Sequence, residues 1–213
     1  PGFEPINVTD KMDGGWFAVP GNYSVALSKV VSGVETQYGQ SQNFEVVSLD
    51  NRTFASNDRD GDLKFDKQVG RLYQAISGAR KYLNELESRV KHIKLATTET
   101  LGLSQKTLEL AHTMQRELAE IKLLLNGNSV LSKRAKPTVT SVYGYISYLV
   151  WSRSESTSAV NGQQKLRFAR ASEGYAEVYP RIKQLADSVA LTEQAIAKAD
   201  GSWLPGMMPS DGQ

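Results

Sequence analysis

The chain has no cysteine and only two histidines. The first absence removes disulfides, thiolate nucleophiles and cysteine-held metals. The second leaves His92 and His112 as the whole supply of imidazole. They lie on different predicted helices with no carboxylate at triad or metal-ligand spacing, so a surface or helix-rim role is expected for both. No apolar run reaches the ~18 residues of a membrane span. No basic stretch followed by an apolar one opens the chain, so no signal peptide is read there. The start Pro1-Gly2-Phe3, without methionine, reads as a processed or excised fragment. A marked excess of one charge is also missing: 25 basic against 23 acidic side chains give a net charge of +2. That balance argues against a dedicated nucleic-acid binder. No G-x-S-x-G elbow, Walker loop or dinucleotide fingerprint occurs. No catalytic residue, cofactor or metal ligand is assigned on this reading.

What is present divides at about residue 55. The first part reads as β structure. Pro20-Gly21-Asn22 is turn chemistry. It leads into Tyr23 to Val30, where Tyr23, Val25 and Leu27 fall on one face at period two. Ser32-Gly33 closes a hairpin, Val34 to Tyr38 returns, and Phe44 to Leu49 gives a further strand, with a short one at Trp16 to Val19. Three or four strands are fewer than the roughly seven of an independent sandwich. Residues 1–55 are therefore expected to be an incomplete Ig-like or fibronectin-like segment, its earlier strands missing or supplied by a partner, with a small α+β domain that covers its own sheet as the alternative.

From Phe65 the period changes. Phe65, Val69, Leu72, Ile76, Ala79, Leu83, Leu86, Val90 and Ile93 alternate spacings of four and three, a heptad seam. Gly70 and Gly78 inside it are expected to mark close helix contacts. A second helix is predicted over 104–126, with Leu110, Met114, Leu118, Ile121 and Leu125 on one face and Gly127 as its left-handed cap. A third is predicted over 138–152, with Val139, Val142, Ile146 and Leu149 inward. Its β-branched and aromatic residues leave a strand open as the alternative. A fourth is predicted over 163–199, its stripe running from Phe168, Ala171 and Tyr175 through Val178, Ile182, Leu185 and Val189 to Ile196. Pro180 should kink or break it. Trp203 and Leu204 are expected to pack back on the helices. The fold class expected is thus α+β: the end of a sandwich (1–55), then an antiparallel four-helix bundle with an extended tail (56–213).

The junction Ser56-Asn57-Asp58-Arg59-Asp60-Gly61-Asp62 invites a calcium-loop reading. With Gly61 at position six, ligands fall at Ser56, Asp58 and Asp60, but position twelve is Lys67 where a bidentate carboxylate is required. Capping of the long helix by Asp60 or Asp62 is the preferred reading. Tyr143, Tyr145, Tyr148 and Trp151 are spaced to share helix faces, and with Trp203 they are the candidate interaction residues. Tyr and Trp are favoured as interface anchors.

The order of parts carries a resemblance. Pro20-Gly21-Asn22-Tyr23-Ser24-Val25 looks like the "PGxYxV" strand that closes an Ig-like module. Long helices follow, then Thr140 to Ile146, a Ser/Thr-rich loop, a helix with an internal proline, and the closing Trp203-Leu204-Pro205-Gly206. This resembles the C-terminal region of large secreted bacterial sortilin-type β-propeller proteins, often labelled glycosyl hydrolases or neuraminidase-repeat proteins. The resemblance implies an exported bacterial parent with its propeller upstream, and no hydrolase residue that can be placed in this chain. It implies as partners the rest of that parent or other subunits of an assembly, with no nucleic acid and no membrane span. The expected role is a non-catalytic structural or interaction module. The alternative is an accessory region of a secreted glycoside hydrolase.

Overall fold

The computed structural model describes residues 17–48, 56–99 and 105–199. Within them a two-stranded antiparallel sheet is followed by five helices. The expectations at Trp16, Leu49 and the Trp203-Leu204 tail lie outside the described residues.

Strands β1 (Gly21–Val31) and β2 (Val34–Val46) form one hairpin. Ser32 and Gly33 both take positive φ, 52° and 81°. That is the two-residue primed turn whose twist suits a hairpin. The runs read separately as Val34–Tyr38 and Phe44 onward are one strand. They are joined across a register irregularity beside Val25 and Leu27, where Gly39 has φ 81°. The positive φ lets the chain absorb extra residues without ending the ladder. Phe17 to Val19 is not a strand. Val19 is instead held by the Tyr23 hydroxyl, which donates to its carbonyl at 2.7 Å.

The helices are α1 (Arg59–Glu99), α2 (Gln105–Asn126), α3 (Ser129–Lys133), α4 (Val142–Ser154) and α5 (Gly162–Lys198). Their ends follow local chemistry. Asp58 Oδ1 accepts from the Gly61 N–H at 2.9 Å, so Asp58, and not Asp60 or Asp62, caps α1. Gly127 at φ 80° ends α2, its N–H returning to the Leu123 carbonyl. Asn128 then caps the short α3, which the sequence did not suggest. Ser141 Oγ accepts from Gly144 N–H, so α4 begins after residues 138–141. The segment is helical, and Val139, predicted inward, is exposed. Asn161 and Gln164 exchange hydrogen bonds to each other's backbone N–H, a capping box that starts α5. α5 runs through Pro180 without a break.

The described residues of Pro1–Gln74 and Tyr148–Leu166 form one compact unit, and those of Ala75–Ser147 and Arg167–Gln213 a second. In the second, α1 contributes Ile76, Leu83, Leu86, Val90 and Ile93, all buried. Lys94 to Gln115 and Lys122 to Glu87 set α2 antiparallel to α1. Tyr175 to the Ala75 carbonyl and Arg89 to Glu193 set α5 parallel to it, where the expected up-down alternation of four helices requires it to be antiparallel. Arg181 ties α5 to α2. The buried stripe departs from strict heptads. Tyr73 is buried while Leu72 and Ala79 are half-buried, and on α2 Ala111 is buried while Leu110 is exposed. A straight helix drifts about 20° per heptad, which moves the inward position by one residue.

The expectation that Gly78 marks a close contact is overturned: a Cβ there would meet nothing within 4 Å. Gly174 of α5 is the close approach, since a Cβ there would lie 2.6 Å from Val142 Cγ2. Gly78→Ala should therefore stabilise by about 1 kcal/mol, the helix-propensity difference. Gly174→Ala should destabilise by about 1–2 kcal/mol net of the same gain, because overpacking costs more than propensity returns. Urea-unfolding midpoints of the two variants measure both.

Candidate functional site

The junction that suggested a calcium loop has another task. Continuing the α1 stripe toward the N-terminus, from Val69 back three residues and then four, gives Asp66 and Asp62 at inward positions. Both are buried. A buried carboxylate needs a partner, and each has one. Arg153 of α4, 1% exposed, donates through Nε and Nη2 to the two Asp66 oxygens at 2.6 and 3.1 Å. Its Nη1 donates to the Ser158 carbonyl at 2.7 Å. Asp62 Oδ1 accepts from the Val160 N–H at 3.0 Å, and Arg59 Nη1 donates to the Thr157 carbonyl at 2.6 Å. The first two turns of α1 thus hold the polar α4–α5 connection by its backbone. Asp62 Oδ2 and Arg59 Nε are buried without a partner; Asp62, with Asp58, Val160 and Lys165, also lines a cavity of about 520 Å³. Among the described residues, no group of three or more acidic or histidine side chains converges on a point. His92 Nδ1 lies 2.7 Å from the Ser88 carbonyl, one turn back on its own helix. His112 is exposed on α2.

The second unit uses its charges between helices. Arg181 donates to both Glu117 oxygens at 2.7 and 3.1 Å and to Glu120 at 2.9 Å. These hydrogen bonds hold the Glu117 carboxyl below its ordinary value, against an opposing effect of burial. They raise Arg181 further above its own ordinary value. Arg89 is raised in the same way, chiefly by its hydrogen bonds to Glu193. Burial, with Tyr179 nearby, pushes the Tyr175 phenol up.

The candidate aromatics do not make one patch. Tyr143 lies under the Arg80 guanidinium, 3.6 Å from its ring centroid. Tyr145 lines a groove of about 690 Å³ whose other walls include Leu124, Leu131, Val178 and Glu177. Tyr148 and Trp151 are exposed and in contact, centroids 5.8 Å apart at 58°. Trp203 lies outside the described residues. The i, i+3 spacing found the Tyr148–Trp151 pair, but it could not show that Tyr143 is engaged by a cation.

The larger uncovered surface is the hairpin. Nearly every strand residue is exposed. Directly paired residues share a face, and the pairs Tyr23–Phe44, Leu27–Tyr38 and Val31–Val34 fall with Val25 on the same one. The other face carries Asn22, Ser24, Ser28, Glu35, Gln37, Asn43 and Glu45. The exposed aromatic and aliphatic strand residues therefore gather on one side.

No protein-family model matches the chain, and no curated protein or solved structure matches it either. Among the described residues, no helix is long and apolar enough to cross a membrane.

Two outcomes follow for the charged groups. Arg153→Met strands Asp66 and should destabilise by about 3–5 kcal/mol, whereas adding Asp66→Leu should recover much of that loss. Chemical denaturation of the single and double variants measures it. For Glu117, a folded pKa below the unfolded one gives stability that is complete above its unfolded pKa of about 4.3 and lost as pH falls through the folded value. Glu117→Gln should flatten the acid limb of stability against pH below about pH 4.5, read from unfolding midpoints at successive pH values.

Proposed function

We propose that this chain is a non-catalytic structural or interaction module of a secreted bacterial β-propeller protein, docking or stabilising a larger assembly. In this reading the hairpin is one layer of an Ig-like sandwich whose remaining strands come from elsewhere. The helices form the supporting bundle. The observation that carries it is the hairpin's uncovered apolar face. An isolated two-stranded hairpin is marginal in water, and a large exposed apolar surface marks an interaction site. The exposed Tyr148–Trp151 pair offers a second contact of the kind that anchors interfaces.

The engaged state of the charged groups favours the same reading. Arg153, Arg181 and Arg89 are tied to carboxylates or to backbone, and such groups serve as struts. The order of strand, helices and closing Trp203-Leu204-Pro205-Gly206 supports the propeller-protein parent and, through it, an exported location. The second reading, an accessory region of a secreted glycoside hydrolase, rests on the label that family carries.

The deciding experiment uses the propeller-containing parent with and without this module. Unchanged polysaccharide turnover with lost assembly or stability is expected. Loss of turnover with folding intact would favour the hydrolase reading. Trp151→Ala with Tyr148→Ala should weaken docking without altering the chain's helical circular dichroism.

A further inference from the structure

We propose that the groove between residues 131–141 and α5, within the second unit, takes an extended peptide segment, apolar with a basic side chain, as an added strand along Thr138 to Thr140. This rests on the interaction-module reading and gives it a further surface, with the chemistry of what that surface takes.

The chain from 136 to 141 makes no helix, turn or bend, and so runs extended. Its outer members are committed. Lys136 N–H donates to the Leu131 carbonyl at 3.0 Å, and Pro137 has no N–H to give. Ser141 accepts from Tyr145 N–H at its carbonyl and from Gly144 N–H at its hydroxyl, which starts α4. Between them, the amide and carbonyl groups of Thr138, Val139 and Thr140 bond to nothing among the described residues. Three β-branched residues in a row suit a strand, yet the only sheet among the described residues is the β1–β2 hairpin. Thr138 to Thr140 is thus a short strand edge with open donors and acceptors. An incoming strand pairs with such an edge through its own main chain. A helix does not, because its main-chain groups are used internally.

An apolar groove adjoins that edge. Its volume, about 690 Å³, lies within the about 300–1,000 Å³ usual for ligand sites. Leu123, Leu124 and Leu131 line it and are exposed. Val139, also in the lining, is at 89% the most exposed large apolar side chain among the described residues. A strand laid on the edge sends alternate side chains to one side, so apolar residues at every second position of the peptide reach the groove.

Charge selects the rest of the peptide. The ionised side chains in the lining are Arg170, Glu173 and Glu177, all on α5. Arg170 pairs with Glu173 at 3.6 Å. Glu177 has no partner among the described residues, which leaves the lining with one negative charge in excess. Lys133, Arg134 and Lys136 are exposed on the stretch that precedes the edge. A basic side chain of the peptide is therefore drawn toward α5 and repelled from that stretch. An exposed pair adds little affinity; its effect is on which partner is chosen.

The test is selection of peptides from a random phage library on the whole chain, with counter-selection on Leu124→Arg, which places a cation in the groove. The survivors should carry apolar residues at alternate positions and at least one Lys or Arg. Calorimetric titration of a synthesised survivor should give a dissociation constant below about 1 mM. Glu177→Lys should weaken it about fivefold, and a peptide with its basic residue changed to Glu should regain binding on that variant. Proline at each edge position removes one amide. Thr138→Pro and Thr140→Pro should behave alike and Val139→Pro oppositely, the alternation of a strand ladder. Unfolding midpoints check that each variant stays folded. The absence of survivors overturns the proposal, as do acidic survivors, indifference to Glu177→Lys, or proline effects without alternation. If it is overturned while the module still stabilises its propeller parent, the interaction-module reading stands. If the peptide binds as described but the parent is indifferent to the module, that reading falls and the groove assignment stands.

Discussion

Burial of Asp66 against Arg153 sets the terms for the first unit, because neither group could occupy an inward position on its helix without the other. Removing a carboxylate from water costs several kcal/mol, returned only by a close, bidentate, fully hydrogen-bonded partner. Arg153 meets that demand with two of its nitrogens and uses the third on the Ser158 carbonyl. One side chain therefore fixes α1 to α4 and holds the connection that follows α4. Asp62 and Arg59 act on the same connection at Val160, two residues beyond Ser158, and at Thr157, one residue before it. A polar loop that sequence alone would leave unplaced is in this way tied down by its backbone.

The second unit solves the same problem with greater use of apolar contact. Its buried stripes carry the packing, and its arginines sit at the margins as forks between helices. The parallel course of α1 and α5 follows from two contacts, Ala75 with Tyr175 and Arg89 with Glu193. α2 returns antiparallel to α1, tied to it through Lys94 and Glu87 and to α5 through Arg181. Such partly exposed pairs contribute modestly each. They choose which helix faces which, while the Leu, Ile and Val side chains supply most of the cohesion.

Much of this was legible in the residues. The Ser32-Gly33 turn, the Gly127 cap, the α2 stripe from Met114 to Leu125 and the helical nature of the Val142 to Ser152 segment all follow from local chemistry or short-range period. The tasks of Asp62 and Asp66 did not, although a signal was there. Stepping the α1 stripe back from Val69 by three and four lands on both. It was obscured because acidic residues at a helix start have a simpler explanation as caps, and Asp58 takes that role. Arg153 lies 87 positions from Asp66, a separation at which no periodicity links them. The aromatic cluster failed for a related reason. Spacing places Tyr143 and Tyr148 on a helix, but the Arg80 guanidinium that covers the first comes from another element.

The break in register beside Val25 and Leu27 bears on strand addition at the edge of β2. Both outer edges of a two-stranded ribbon carry free amide and carbonyl groups, and a long regular ribbon invites stacking without limit, strand upon strand, into fibres. Here the extra residues at Gly39 to Ser41 bend one edge midway, so an incoming strand finds matching donors over only half its length. Strand addition at the β2 edge stalls at that kink.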